Sequence, residues 1–299
     1  MARVLVTGIA GFTGHYMTAA LAERGHQVIG IGRAADSAPS DPGIDYHELD
    51  LTDLGATRAL IRRLQPDRVV HLAAIAFVAH DDAAEIYMSN VVGARNLLQA
   101  LAEAERPVER VLLASSANVY GNRHEGILDE DCLPLPANDY AVSKLAMEQV
   151  VRIFAPRVPS IVARPFNYTG VGQSRSFLIP KLVDHALRRE HRIELGNLDV
   201  ARDFSDVRCV ADCYARLLEC AEAVGGTFNV CSGNPRTLRE VVGLVESLSG
   251  TRFEIAVNPA LVRATEVRTL AGSRARLEAM IGPVAMPALE ATLGWMLEG

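Results

Sequence analysis

Disulfide pairing, tryptophan and an excess of positive charge are all lacking or scarce in this 299-residue chain. Its five cysteines, Cys132, Cys209, Cys213, Cys220 and Cys231, are odd in number and include no CxxC pair. A chain of this length needs no staples, so reduced thiols are expected, packed as small apolar groups in a cytoplasmic protein. Cys209 and Cys213 could share a helix face, but two thiolates without a nearby His or third Cys make a poor zinc site, and no metal is expected. Lys and Arg number 30 against 36 Asp and Glu, a net charge of −6. That balance excludes a general nucleic-acid binder, although one local basic pocket for a phosphorylated ligand is compatible with it. No apolar run reaches about 18 residues. The opening MARVLVTG lacks the pattern of a secretory leader, so neither secretion nor membrane association is expected.

What is there has an ordinary globular composition, 49% hydrophobic and 22% charged, in a chain long enough for two lobes. Short β-branched runs at 3–7, 27–31, 68–73, 110–115 and 160–166 alternate with helix-length amphipathic segments. Parallel pairing with right-handed crossovers follows, which predicts a doubly wound α/β sheet. The rhythm fades after Phe166, leaving an isolated strand pattern at 227–232 and a helix pattern at 238–248. The expected organisation is a Rossmann-like dinucleotide-binding domain over 1–166, with segments of about 201–233 returning to it. A smaller substrate-binding lobe would comprise 167–200 and 234–299.

Gly8, Gly11 and Gly14 follow the first strand in GxxGxxG spacing, with Phe12 and Thr13 between the last two. At a strand-to-helix turn, glycines let backbone N–H groups approach a pyrophosphate, and the helix N-terminus stabilises its charge. A ligand-free tight turn is the alternative. The helix is expected to begin near His15. After the second strand the chain reads Gly30-Ile-Gly32-Arg33, with no carboxylate to bond the adenosine ribose hydroxyls. A guanidinium there matches a 2′-phosphate, which favours NADP(H) with NAD(H) as the alternative; a merely solvated Arg33 is the plainer reading.

Two further segments carry chemistry: Ser115-Ser116-Ala117-Asn118-Val119-Tyr120-Gly121, and Tyr140-Ala-Val-Ser-Lys144 at the start of a helix pattern. Four residues apart on a helix, Tyr140 and Lys144 share a face, so the ammonium could lower the phenol pKa from about 10. Such a phenol can exchange a proton with a carbonyl or alcohol oxygen while hydride moves to or from a nicotinamide. Taken alone, the pair could equally be a snorkelling surface pair.

In this order, the glycine turn, SSxxVYG and YxxxK resemble the extended branch of the short-chain dehydrogenase/reductases, the NAD-dependent epimerase/dehydratase family. The resemblance implies catalytic roles for Ser116, Tyr140 and Lys144, with Ser116 four residues before the Tyr of VYG and Ser115 the poorer candidate. It also implies cofactor contacts from Asp50 and Leu51, closing the third strand, and from Ala73 and Ala74, ending the fourth. A homodimer through helices that include the YxxxK helix is a further implication.

The segments 165–173, 196–207, 228–233 and 258–273 resemble the family's GDP-sugar branch. By that resemblance Ser116 and Asn118 face the sugar, Asn167 contacts the sugar diphosphate, Arg202 and Arg263 the diphosphate oxygens, and Glu266 a pair of ribose hydroxyls. Surface ion pairs are the plainer reading of Arg202, Arg263 and Glu266. Dehydratases of the branch resemble one another in placing an acid two residues after the catalytic Ser or Thr. Asn118 stands there and cannot exchange a proton near neutral pH, so the expected reaction is 4-keto reduction of a GDP-linked 4-keto-6-deoxy-D-mannose to GDP-D-rhamnose. Attack on the opposite ketone face would give GDP-6-deoxy-D-talose. A 4-epimerase, a 4,6-dehydratase and a non-catalytic NADP(H) sensor are the other readings. Cys209, where the family often has an acid, and the absence of its late TGWxP element near Gly282 are departures from the pattern.

Overall fold

A computed structural model describes residues 1–33, 43–76, 82–122, 124, 126–258 and 267–299. The chain begins with β1 (Arg3–Thr7), α1 (Phe12–Glu23), β2 (Gln27–Gly32), β3 (Asp45–Glu48), α2 (Leu54–Leu64), β4 (Arg68–His71) and α3 (Ala83–Tyr87). A π-helical turn at Met88–Gly93 leads into α4 (Ala94–Ala102), followed by β5 (Arg110–Ala114), a 3-10 turn at Ala117–Tyr120, β6 (Gly126–Leu128), α5 (Asp139–Phe154) and β7 (Ser160–Pro165). Next come β8 (Asn167–Thr169), α6 (Leu178–Arg188), β9 (Arg192–Leu195), β10 (Ala201–Asp206), α7 (Val207–Glu219) and β11 (Thr227–Val230). The last elements are β12 (Pro235–Thr237), α8 (Leu238–Ser249), β13 (Glu254–Val257), β14 (Thr269–Gly272), α9 (Ala275–Ile281) and α10 (Leu289–Glu298).

Seven strands form one parallel sheet in the order β11-β7-β5-β4-β1-β2-β3. Its central strands read as unbroken apolar runs because helices cover both faces. Val4, Val6, Val70 and Leu112 pack with Met17 and Leu21 of α1 and Val210 and Leu217 of α7 on one side. On the other, Leu5, Val69 and Val111 pack with Leu60 of α2, Leu97 of α4 and Met147 of α5. This is the doubly wound α/β architecture expected from the alternation. The strand pattern at 227–232 is not isolated: residues 227–230 pair with β7 as the sheet's last strand, because α7 carries the chain back across the sheet.

The chain runs outward from β1 through β2 and β3, then returns to place β4 on the other side of β1. That reversal opens a crevice beyond the carboxyl ends of β1 and β4, where open α/β sheets receive ligands. A second sheet, β12-β10-β14-β6 with β8 beside β10, joins strands of the C-terminal half to β6 from within 1–166, and the β9–β13 pair lies in the C-terminal half as well. Thus within 201–233, α7 and β11 pack with the large sheet, whereas β10 joins the second. Buried Asp203 of β10 ties the two, accepting the Ser232 N–H (2.8 Å), the Ser232 hydroxyl (2.7 Å) and the Gly233 N–H (2.8 Å) just past β11. Among the described residues, no helix is long and apolar enough to cross a membrane.

The cysteines only partly follow expectation. All five are free thiols, but only Cys213 and Cys231 are buried. Cys209 and Cys220 lie on or at the end of the amphipathic α7, and Cys132 lies in a loop, so each keeps partial exposure.

Candidate active site

The glycine turn is built by close packing. Gly8 has φ +72°, and a Cβ there would lie 2.7 Å from the Ala73 nitrogen. A Cβ on Gly14 would lie 2.4 Å from the carbonyl oxygens of Gly8 and Ile9. Gly11 is exposed, and a Cβ would meet only the Gly8 oxygen, at 3.2 Å. Gly11 is also the N-cap of α1, so the helix starts at Phe12 rather than near His15, and Thr13 and Gly14 lie in its first turn. That turn has no capping side chain and no acid. Unpaired helix N–H groups behind an exposed glycine suit a pyrophosphate. The Phe12 ring stacks on Tyr168 at 6.0 Å and the Thr13 hydroxyl bonds the Tyr168 hydroxyl at 2.8 Å. These side chains are committed to β8, so backbone N–H is what the two residues can offer an anion.

Arg33 is exposed just past β2, 3.6 Å from a Glu85 oxygen. Asp50 does not close the third strand, which ends at Glu48; it lies in the turn beyond, accepting the Thr52 N–H (2.9 Å) and hydroxyl (2.8 Å). Those two bonds, then the charge of Arg33, hold its carboxyl below the usual range. Leu51 is buried. Ala73 and Ala74 follow β4, half-buried, with the Ala73 N–H on the Thr7 hydroxyl at 3.3 Å. The next residue, Ile75, is clamped through both backbone groups by buried Asn90 (2.8 and 3.1 Å), which also donates to Ser143 Oγ at 3.0 Å. Asn90 sits in the π-helical turn, whose shifted register turns its side chain inward.

Ser116 lies two residues past β5 and caps the start of the 3-10 turn. Its Oγ accepts the Asn118 backbone N–H (3.1 Å) and side-chain Nδ2 (3.0 Å). Asn138 caps α5 by accepting the Ala141 N–H at 2.9 Å, which fixes the helix start so that Tyr140, Lys144 and Glu148 are all buried on one face. Burial pushes the Tyr140 phenol up to about 12, against a lowering hydrogen bond with Ser116. The expected lowering by Lys144 is not what governs this phenol. The ammonium instead donates to the Ala114 carbonyl at 2.8 Å, and desolvation dominates. Burial also brings Lys144 down to about 8, opposed by Glu148. His71 at the end of β4 shares a hydrogen bond of 2.8 Å with Thr7, and burial, then Lys144, lowers it to about 3, so it is neutral near pH 7.

The fold therefore gathers Ser116, Asn118, Tyr140 and Lys144 near the end of β5. Asn167, exposed on β8, donates to the Asp203 carbonyl at 3.2 Å. Arg202 lies on β10, two residues before the partner of Asn167 in the β8–β10 register, and donates to the carbonyls of Ala201 (2.8 Å) and Val267 (3.0 Å). Arg263 and Glu266 lie outside the described residues. Asn90, Tyr168, Glu148 and Arg164 were not anticipated. Glu148 did carry a signal, since it extends the Tyr140–Lys144 spacing by another four residues, and so did Arg164, a charge inside the apolar run SIVARPF.

A family model described as the NAD dependent epimerase/dehydratase family matches residues 4–231. GDP-6-deoxy-D-mannose reductase of Pseudomonas aeruginosa is 38% identical, over 94% of this chain and 91% of that protein. GDP-6-deoxy-D-talose 4-dehydrogenase of Aggregatibacter actinomycetemcomitans is 31% identical over the same shares of the two chains. The solved structure of RMD from Pseudomonas aeruginosa complexed with NADPH superposes with a TM-score of 0.84 at 33% identity, covering 100% of this chain and 98% of that one.

Proposed function

Because the chain belongs to the NAD-dependent epimerase/dehydratase family, we propose that it is a nicotinamide-dependent oxidoreductase of nucleotide-linked sugars that reduces GDP-4-keto-6-deoxy-D-mannose to GDP-D-rhamnose. The observation that carries the reading is Asn118, whose amide donates to Ser116 Oγ at 3.0 Å, where removal of a C5 proton would call for an acid or base. The GDP-sugar substrates in the names of two relatives support the substrate class.

In this reading bound nicotinamide supplies the hydride. Tyr140, kept protonated by burial, gives its proton to O4 as negative charge develops there. Ser116 accepts twice from Asn118, so its own O–H is directed to the same oxygen, in the manner of an oxyanion donor. Lys144, one helical turn from Tyr140, stabilises the phenolate left behind and holds the nicotinamide ribose. Phe12, Thr13 and Gly14 would present their backbone N–H groups to the pyrophosphate, Gly8 and Gly11, whose own N–H groups bond the Ile31 and Gly8 carbonyls, would leave it room to approach, and Leu51, Ala73 and Ala74 would line the dinucleotide. Arg33, beside Asp50, favours NADP(H), a preference also supported by the NADPH complex of the solved relative. Residues 1–166 except β6, together with α7 and β11, form the dinucleotide-binding part, and 167–200 with β6, β10 and 234–299 the sugar-nucleotide lobe, through Asn167, Arg202, Arg263 and Glu266. Val142 and Ile153, exposed on α5, suit a homodimer through that helix.

The relative that carries a 6-deoxy-D-talose name favours a second product, from attack on the other ketone face. The test supplies the 4-keto sugar with NADPH or NADH, follows nicotinamide absorbance and assigns C4 by NMR. Oxidation of the reductant with rhamno product is expected. No turnover with either reductant would overturn the reading, and product formed without net cofactor consumption would indicate a 4-epimerase.

A further inference from the structure

Arg164 interrupts the apolar run of β7 and Glu148 interrupts the buried face of α5, and their side chains are only 4% and 3% exposed. They meet in a forked pair, Nε to Oε1 at 2.9 Å and Nη2 to Oε2 at 2.7 Å. The Ser115 hydroxyl donates to the same Oε1 at 2.6 Å. The remaining Arg164 nitrogen donates to the Tyr120 hydroxyl at 3.0 Å, which in turn donates to Asn229 Oδ1 at 2.7 Å. A buried ion pair is a poor stabilising device, since desolvation offsets its attraction. Its neighbours indicate what it does instead. Glu148 lies one helical turn beyond Lys144, Ser115 precedes Ser116, and Tyr120 ends the 3-10 turn that Ser116 starts.

From this convergence we infer that Glu148, held by Arg164, is a positioning residue of the active site: its carboxylate keeps the buried Lys144 ammonium charged and pins the chain from which Ser116 projects. The inference rests on the roles proposed above for Lys144 and Ser116. Among the described residues, the other titratable groups around Lys144 are His71 from β4, neutral near pH 7; Tyr140 on its own helix, a neutral phenol; and Tyr168 and Tyr214, phenols that face Tyr140. Arg164 of β7 is paired with Glu148 at 2.7 Å, and Glu130 is engaged by the Asn229 N–H at 2.7 Å. The charge that opposes deprotonation of Lys144 is therefore that of Glu148.

Glu148→Gln keeps the shape and an acceptor for Ser115 but removes the charge. The alkaline limb of kcat, and that of NADPH binding followed by nicotinamide fluorescence, should both move to lower pH by about one unit. Ser115→Ala keeps the charge, so it should lower kcat by up to about a hundred-fold without moving either limb. Glu148→Asp should return the limb toward that of the wild type. Should Glu148→Gln fail to fold, Glu148→Leu combined with Arg164→Met fills the space with apolar groups and should fold with the limb still displaced. Folded variants lacking the charge but with both limbs unmoved would overturn the inference and leave the pair a purely structural role. If the wild type does not turn over the GDP-sugar, the proposed function fails, while the NADPH-binding limb still reports on Glu148.

Discussion

Ser115 and Ser116 are adjacent in the chain, yet their hydroxyls face different partners. Ser115 Oγ donates to the buried Glu148 carboxylate at 2.6 Å, whereas Ser116 Oγ accepts from the backbone and side chain of Asn118. The alternation of an extended backbone divides the two, with the first bonded into the network under the site and the second turned to Asn118 and Tyr140. This division is the geometric basis for assigning the reacting hydroxyl to Ser116.

Tyr140→Phe removes the proposed proton donor and leaves the ring in place. We expect kcat to fall by about 10²- to 10⁴-fold with NADPH affinity nearly unchanged, measured by steady-state kinetics and fluorescence titration. Retained turnover would remove Tyr140 from the mechanism.

The pH dependence of reduction follows from Lys144. Its pKa is lowered to about 8, so the ammonium is present below that pH and lost as the pH rises through it. Tyr140, raised to about 12, stays protonated throughout this range. Ketone reduction should therefore decline as pH climbs through about 8. A profile flat to pH 10, well beyond this limb, would contradict the assignment.

Asn118→Asp replaces a donor to Ser116 Oγ with an acceptor. The Ser116 hydroxyl should then turn toward the new carboxylate and away from O4. A loss of about 10²-fold in kcat with little change in KM is expected, on the scale of losing one oxyanion donor. An unchanged kcat would mean that the amide does not orient Ser116.

Gly8→Ala places a methyl 2.7 Å from the Ala73 backbone at φ +72°. Denaturant unfolding should show a loss of more than about 1 kcal/mol, together with weakened dinucleotide binding. Gly11→Ala, where a Cβ meets only one oxygen at 3.2 Å, should be far milder for stability and mainly affect binding. Equal stability losses at the two positions would refute the packing argument.

Arg33→Ala tests cofactor choice. If the guanidinium pairs with a 2′-phosphate, KM for NADPH should rise by about ten-fold or more while KM for NADH stays within about two-fold. Parallel changes for both reductants would remove Arg33 from discrimination.

The sequence alone determined whatever depends on local pattern. Short β-branched apolar runs and period-3.6 apolarity marked the strands and helices of the sheet, because covered parallel strands must be apolar throughout. The glycine spacing marked the turn, because only a missing Cβ permits its backbone approach. The four-residue step from Tyr140 to Lys144 placed both on one helix face. Only the tertiary structure decided what depends on residues far apart in the chain. It set the Tyr140 and Lys144 pKa values through burial rather than through each other, placed β10 in the second sheet instead of the large one, and committed Thr13 to Tyr168. It also joined Glu148 to Arg164 and Tyr120 to Asn229 across 16 and 109 residues of chain. Periodicity carries no information on such partners, since desolvation and pairing are fixed only when separate segments pack together.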